Sequence, residues 1–150
     1  MTTLESIFAD EFGDLCEIAE SRGWHVEEID GPAFRLVLPA KGGELFHLEV
    51  ECGRYPIMPP AFQWRCPITG KLGQPECTPY GGGFLHQNGV ICAPWNRHAY
   101  KEVNPGGLHG DWALATWKTN SHTGQATTLC AMALRIAHEL MSENYKGKAA

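Results

Sequence analysis

The chain has 150 residues, 43% of them hydrophobic, and a formal net charge of −5. That length suits one domain (1–150, core about 2–141) with a sizeable core, and no apolar run approaches the ~20 residues that a membrane span needs. The acidic balance, without any basic block, argues against nucleic-acid binding.

Met1-Thr2-Thr3-Leu4-Glu5-Ser6 has neither the basic start nor the apolar stretch of a secretory signal, so the expected location is cytoplasmic. Cysteines 16, 52, 66, 77, 92 and 130 are then expected as thiols. No repeat or low-complexity linker interrupts the chain.

Residues 2–21 have the spacing of an amphipathic helix, with Leu4, Ile7, Phe8, Leu15, Ile18 and Ala19 on its apolar face. Thr2 and Glu5 form a capping box at its start, and Gly23 ends it. Glu5, Asp10, Glu11, Asp14, Glu17 and Glu20 make the outer face acidic, with no Lys or Arg before Arg22. Such a face is either simply solvated or a docking surface for a basic partner, with Asp10, Glu11, Asp14 and Glu17 at its centre.

Three strand-like runs follow at 24–30, 34–38 and 44–52, separated by Gly31-Pro32 and by Lys41-Gly42-Gly43. Phe46, Leu48 and Val50 alternate with His47, Glu49 and Glu51, and the short connections favour an antiparallel meander. Tyr55-Pro56-Ile57-Met58-Pro59-Pro60 predicts an extended crossing, because each proline disfavours the helical region for the residue before it. Residues 61–66 give a fourth strand. Gly, Pro and Thr make 67–83 a loop, and 96–120 is a second irregular stretch. A helix capped by Ser121 or Thr123 runs to about Ser142, and the tail 143–150 is expected to fray.

Between the two irregular stretches lies Phe84-Leu85-His86-Gln87-Asn88-Gly89-Val90-Ile91-Cys92-Ala93-Pro94-Trp95. A cysteine after a short apolar run, with a proline close behind, falls where a strand must stop. That placement suits a thiol at the mouth of a cleft, as thiolate chemistry requires.

The order of elements, Tyr55-Pro56-x-x-Pro59-Pro60, His86-x-Asn88 and Gly89-x-Ile91-Cys92 together resemble the ubiquitin-conjugating enzyme (UBC) family over about residues 2–141. Trp112 or Trp117 stands for the tryptophan that follows the cysteine there. The resemblance implies an α+β UBC-like fold: N-terminal helix, four-stranded antiparallel meander, cysteine-bearing loop and C-terminal helix, without the last two helices of eukaryotic relatives. Several features depart from the eukaryotic pattern. Gln87 replaces the proline of His-Pro-Asn, only three residues separate Asn88 from Cys92, the segment after Cys92 is longer, and the first helix is acidic. These departures resemble bacterial relatives from antiphage operons. Some of those serve ubiquitin-like conjugation (the Bil type). Others act on the C-terminus of a cGAS-like nucleotidyltransferase (type II CBASS).

The reaction so implied is acyl transfer. Cys92 accepts the C-terminal carboxyl of a ubiquitin-like protein or of the nucleotidyltransferase as a thioester, with or without an activating enzyme. A target amine, most often lysine, then attacks it. No cofactor, nucleic acid or membrane is implied. Asn88 supports either the oxyanion or the loop, and His86 fixes the loop. His98, His109 and Asp111 are placed to help deprotonate the amine. Trp95 and Trp112, with Trp117, either pack the loop onto the body or line a groove for the partner's tail.

Three rivals remain open. Cys66, Cys77, His86, Cys92, His98 and His109 are ligand-capable, but Cys66 and Cys77 are eleven apart and no close pair has zinc spacing. A catalytically inactive UBC-like adaptor would typically lack the cysteine. A cysteine hydrolase needs a base oriented by a third group, which the sequence does not locate.

Overall fold

A computed structural model describes residues 2–86 and 88–149; Gln87, the residue in the proline position of the His-x-Asn triplet, lies outside the described residues. Helix α1 spans Thr3–Arg22. Its capping box closes in both directions, the Glu5 amide donating to Thr2 Oγ1 (3.1 Å) and the Thr2 amide to Glu5 Oε2 (3.0 Å). Gly23 ends it in the left-handed region at φ 74°, which glycine adopts without a Cβ clash.

Strands β1 (His25–Ile29), β2 (Ala33–Pro39), β3 (Leu45–Glu51) and β4 (Ala61–Arg65) form one antiparallel sheet in chain order. Alternation fixes which face is buried. Leu36 pairs with Leu48 and Leu48 with Trp64, while Phe34 pairs with Val50 and Val50 with Phe62. All six side chains are buried. The opposite face carries Glu27, Arg35, Glu49 and Arg65, ion-paired at 3.1–3.4 Å and partly exposed. Such pairs contribute about 0–1 kcal/mol each, so burial on the inner face decides the register. Both helices join this core: Phe12 of α1 lies on Phe34 with ring centroids 5.2 Å apart, and α2, Leu129–Met141, buries Leu129, Met132, Ala133, Ile136, Ala137 and Leu140.

The structure differs from the sequence expectation in four places. The crossing after β3 is a turn, with Met58 N donating to Arg54 O (3.0 Å) and a cis Tyr55–Pro56 bond, rather than an extended run. Helix α2 starts at Leu129 under a Thr128 cap, whose Oγ1 accepts from Ala131 N (3.1 Å). Neither Ser121 nor Thr123 caps it. Thr123 is buried with its hydroxyl donating to Trp117 O, and Gly124 sits at φ 61°, which no right-handed helix accommodates. Up to Ala149 the tail does not fray, and Ala150 lies outside the described residues. Tyr145–Lys148 forms β6, paired antiparallel with β5 (Pro79–Gly81), which lies inside the stretch expected as loop. Both strands are short and glycine-containing, so neither shows the alternation that signals a strand. Among the described residues, no helix is long and apolar enough to cross a membrane.

Candidate functional site

Residues 84–92 double back on themselves. Leu85 bridges Ile91, Cys92 N donates to Phe84 O (2.7 Å), and His86 N donates to Val90 O (3.2 Å). Gly89 makes the reversal possible at φ 89°. Leu85 and Ile91 are each 1% exposed, so the arms of this loop are sunk in the core and its tip stands out.

The arm that carries Cys92 is held by a buried asparagine. Asn96 is 0% exposed. Its Nδ2 donates to Ile91 O (2.9 Å), and its Oδ1 accepts from Phe62 N (2.9 Å) and His98 N (3.2 Å). One side chain thus ties the residue before the cysteine to the edge of the sheet. Next to it, Tyr100 donates its hydroxyl proton to Pro94 O (2.7 Å).

Cys92 is partly exposed, in a cleft of about 380 Å³. The cleft is lined by Phe84, His86, His109, Trp112, His122 and Arg135 among others. Burial alone pushes the Cys92 thiol above the ordinary thiol range. Burial therefore favours the neutral thiol over the thiolate. A candidate base stands in the same cleft. The His109 ring lies flat on Trp112, with centroids 3.4 Å apart and planes 4° from parallel. Its Nδ1 faces Asp111 Oδ1 at 3.1 Å. The hydrogen bond from His109 holds the Asp111 carboxyl below its usual range. A carboxylate on Nδ1 fixes the tautomer and leaves Nε2 as the nitrogen that can take a proton.

The remaining expected residues divide. Asn88 is committed to the loop: its Nδ2 donates to Gly106 O (3.1 Å) and its Oδ1 accepts from Val90 N (3.0 Å). His86 fixes the same turn, its Nδ1 accepting from Asn88 N (3.3 Å). His98 is not among the residues lining the Cys92 cleft. Burial, the largest cause, and Arg97 hold its imidazole below the ordinary range.

Of the two uses expected for Trp95, packing the loop onto the body is what the structure shows: it is 1% exposed and sits edge-on against both Phe62 and Phe84, each with centroids 5.5 Å apart, in the wall of the Cys92 cleft. Trp112 is half-buried and faces the cleft. On α1, Asp10, Asp14 and Glu17 are exposed. Glu11 departs from that group: Oε1 accepts from the Tyr55 hydroxyl (2.6 Å) and from Leu129 N (2.9 Å), tying α1 to the proline turn and to the start of α2. The carboxylate is used within the fold, because an unpaired amide at a helix start would otherwise be left without an acceptor.

His122, Arg135 and Asn96 belong to this site and were missed from the sequence. His122 and Arg135 reach the cleft from separate segments, and neither sits in a motif. Asn96 carries a weak local signal, since its side chain also caps the short 3₁₀ turn at Arg97–Ala99. Among the described residues, no group of three or more His, Cys, Asp or Glu side chains gathers in a way that could hold a metal ion.

Comparison with families of known proteins, with characterised proteins and with solved structures yields no match.

A raised thiol makes a direct prediction. Alkylation of Cys92 by iodoacetamide will be slower than that of a free small thiol at about pH 7.5, and the two rates will converge as pH rises through the thiol range. Time-resolved mass mapping of the labelled peptide measures it. A Cys92 rate faster than the free thiol at neutral pH would mean that an unseen group activates it.

Proposed function

We propose that this chain is a UBC-like acyl carrier, with Cys92 as the sulfur that holds the C-terminus of another polypeptide as a thioester. The observation that carries the reading is the Cys92 thiol in an open cleft beside the oriented His109–Asp111 pair. The helix, four-stranded antiparallel sheet, cysteine-bearing loop and second helix, in that order, add support.

The chemistry runs in two steps. Cys92 attacks the C-terminal carbonyl of a donor thioester, forming the new C–S bond as the donor's own C–S bond breaks, and the Cys92 proton ends on the departing thiol. An amine then attacks the thioester and gives a tetrahedral oxyanion. Its collapse breaks the C–S bond, returns Cys92 as thiolate and leaves an amide. His109 Nε2 takes the proton that the amine must shed, and Asp111 steadies the resulting imidazolium. Asn88 and His86 hold the loop rather than touch the reacting atoms. The exposed Arg135 and His122 give the cleft mouth a basic character. The acyl donor is the tail of a ubiquitin-like protein or of a cGAS-like nucleotidyltransferase, and the acceptor is a lysine, in bacterial antiviral defence.

The His109–Asp111 pair also favours a second reading, a cysteine hydrolase in which water replaces the amine. A short peptide thioester ending in glycine, given to the protein with excess lysine, separates the two. The carrier accumulates a DTT-sensitive protein adduct and passes it on as a lysine amide, whereas a hydrolase releases the free acid even with lysine in excess. For the carrier, His109→Gln will slow amide formation about 100-fold while leaving the thioester able to form. Equal slowing of both steps would place His109 in the fold of the cleft rather than in proton transfer.

A further inference from the structure

Two cysteines unused by the proposed chemistry meet in a different cleft. Cys66 follows β4, where the chain turns back sharply: Arg65 bridges Leu72, Cys66 N donates to Lys71 O (2.8 Å), and Gly70 N donates to Cys66 O (2.8 Å). Cys77 closes the 3₁₀ turn Pro75–Cys77, with its amide donating to Gln74 O (3.0 Å). Thr69 Oγ1 donates to the Gln74 side chain (2.7 Å), pinning one arm of the loop to the other. Both cysteines line an open cleft of about 330 Å³ with His47, Glu76 and Lys148. The Cys77 thiol, Thr69 and Ile68 lie within hydrogen-bonding reach of the Cys66 sulfur; Cys66 is 3% exposed and Cys77 partly exposed.

We propose that Cys66 and Cys77 form a redox-active dithiol, which peroxide converts to a disulfide while Cys92 stays reduced. The geometry supplies what the reaction needs: two cysteines lining one cleft, an opening to solvent at the partly exposed Cys77, and a loop whose hydrogen bonds hold its arms together. Reactivity follows the same order. The Cys77 thiol, above all, and the Thr69 and Ile68 donors bring Cys66 down to about 7, while Cys77 is pushed up to about 11 by the same contact. Burial also opposes the Cys66 thiolate, but there the thiol and loop donors outweigh it, whereas at Cys92, Cys16, Cys52 and Cys130 burial is the largest cause and raises the thiol. Peroxide consumes thiolate, so Cys66 is the preferred target.

The steps balance. The Cys66 thiolate attacks one oxygen of hydrogen peroxide, the O–O bond breaks, and a sulfenic acid remains. The departing hydroxide takes up a proton to become water. The Cys77 sulfur then attacks the sulfenic sulfur, the S–S bond forms, the S–O bond breaks, and the Cys77 proton leaves with that hydroxyl as a second water. Two thiols lose two electrons in all, and one peroxide gains them.

The disulfide closes the loop between β4 and β5, limiting the unfolded chain more than the folded one. The test is brief treatment of the protein with hydrogen peroxide, followed by maleimide capping and peptide mapping. The expected product is a peptide joining positions 66 and 77, lighter by two hydrogens than the reduced pair, with Cys92 recovered capped. The melting temperature should rise by on the order of 5–10 °C on oxidation and return with DTT. Cys66→Ser and Cys77→Ser should each remove both effects. Oxidation of Cys92 ahead of Cys66, or recovery of both Cys66 and Cys77 as capped thiols, overturns the proposal. The map of the unmutated protein decides this even if either variant fails to fold.

Discussion

Replacing Cys92 with alanine will abolish formation of a DTT-sensitive adduct with an acyl donor, and Cys92→Ser will replace it with a DTT-resistant oxyester. A thioester is cleaved by added thiol, whereas the ester made through a serine hydroxyl survives it, so the two variants separate covalent capture from tight binding. Serine is also the poorer nucleophile, so the oxyester will form slowly and accumulate. The other five cysteines serve as internal controls. Cys16, Cys52, Cys66, Cys77 and Cys130 should each be replaceable with the adduct retained, because none of them lines the Cys92 cleft. Gel analysis with and without DTT reads the result. Loss of the adduct on replacing one of these five, with Cys92→Ala still charged, would move the site.

The largest stability effect is expected at Asn96. Asn96→Ala will leave Ile91 O without its donor and Phe62 N without its acceptor, both in buried positions. Stranding a buried polar group costs about 1–3 kcal/mol, so the variant should lose about 3 kcal/mol in urea unfolding. Asn96→Asp is the sharper probe. A carboxylate can still accept from Phe62 N and His98 N, but it offers Ile91 O no proton and sets a negative charge against that carbonyl. It should also be destabilised, despite being nearly the same shape. The effect reaches function, because Ile91 is the residue before Cys92. Amide exchange in 88–92 should accelerate in either variant. A loss below about 1 kcal/mol for both would mean that the loop is held by its apolar arms alone.

How much of this was visible beforehand depends on how local each signal is. Helix α1 and the four strands were legible, because their cues lie within a few residues: the Thr2–Glu5 box, the Phe46–Leu48–Val50 alternation, and Gly-Pro breaks between the runs. The start of α2 is less local: the sequence offers Ser121 or Thr123 as caps, but the Thr123 hydroxyl is committed to Trp117 O and the cap is Thr128. Strands β5 and β6 escaped notice because their pairing joins residues more than sixty apart in the chain and neither has an apolar face.

The site divides along the same line. Cys92 stood out through its local setting, between an apolar run and a proline. His109 and Asp111 could be named as polar residues in a long loop, but only the structure shows His109, stacked on Trp112, lining the thiol's cleft with Asp111 at its Nδ1. Glu11 shows the opposite error. A carboxylate on an acidic helix reads as surface, yet this one accepts two hydrogen bonds between elements. Composition does not reveal which member of a charged face turns inward.

The most direct measurement is the intact mass of the protein after mixing with a short peptide thioester ending in glycine, followed by digestion under conditions that preserve thioesters. A single added acyl group, mapped to Cys92 and removed by DTT or hydroxylamine, is the predicted result. An acyl group on any other side chain, or consumption of the thioester with Cys92 never modified, would contradict the account.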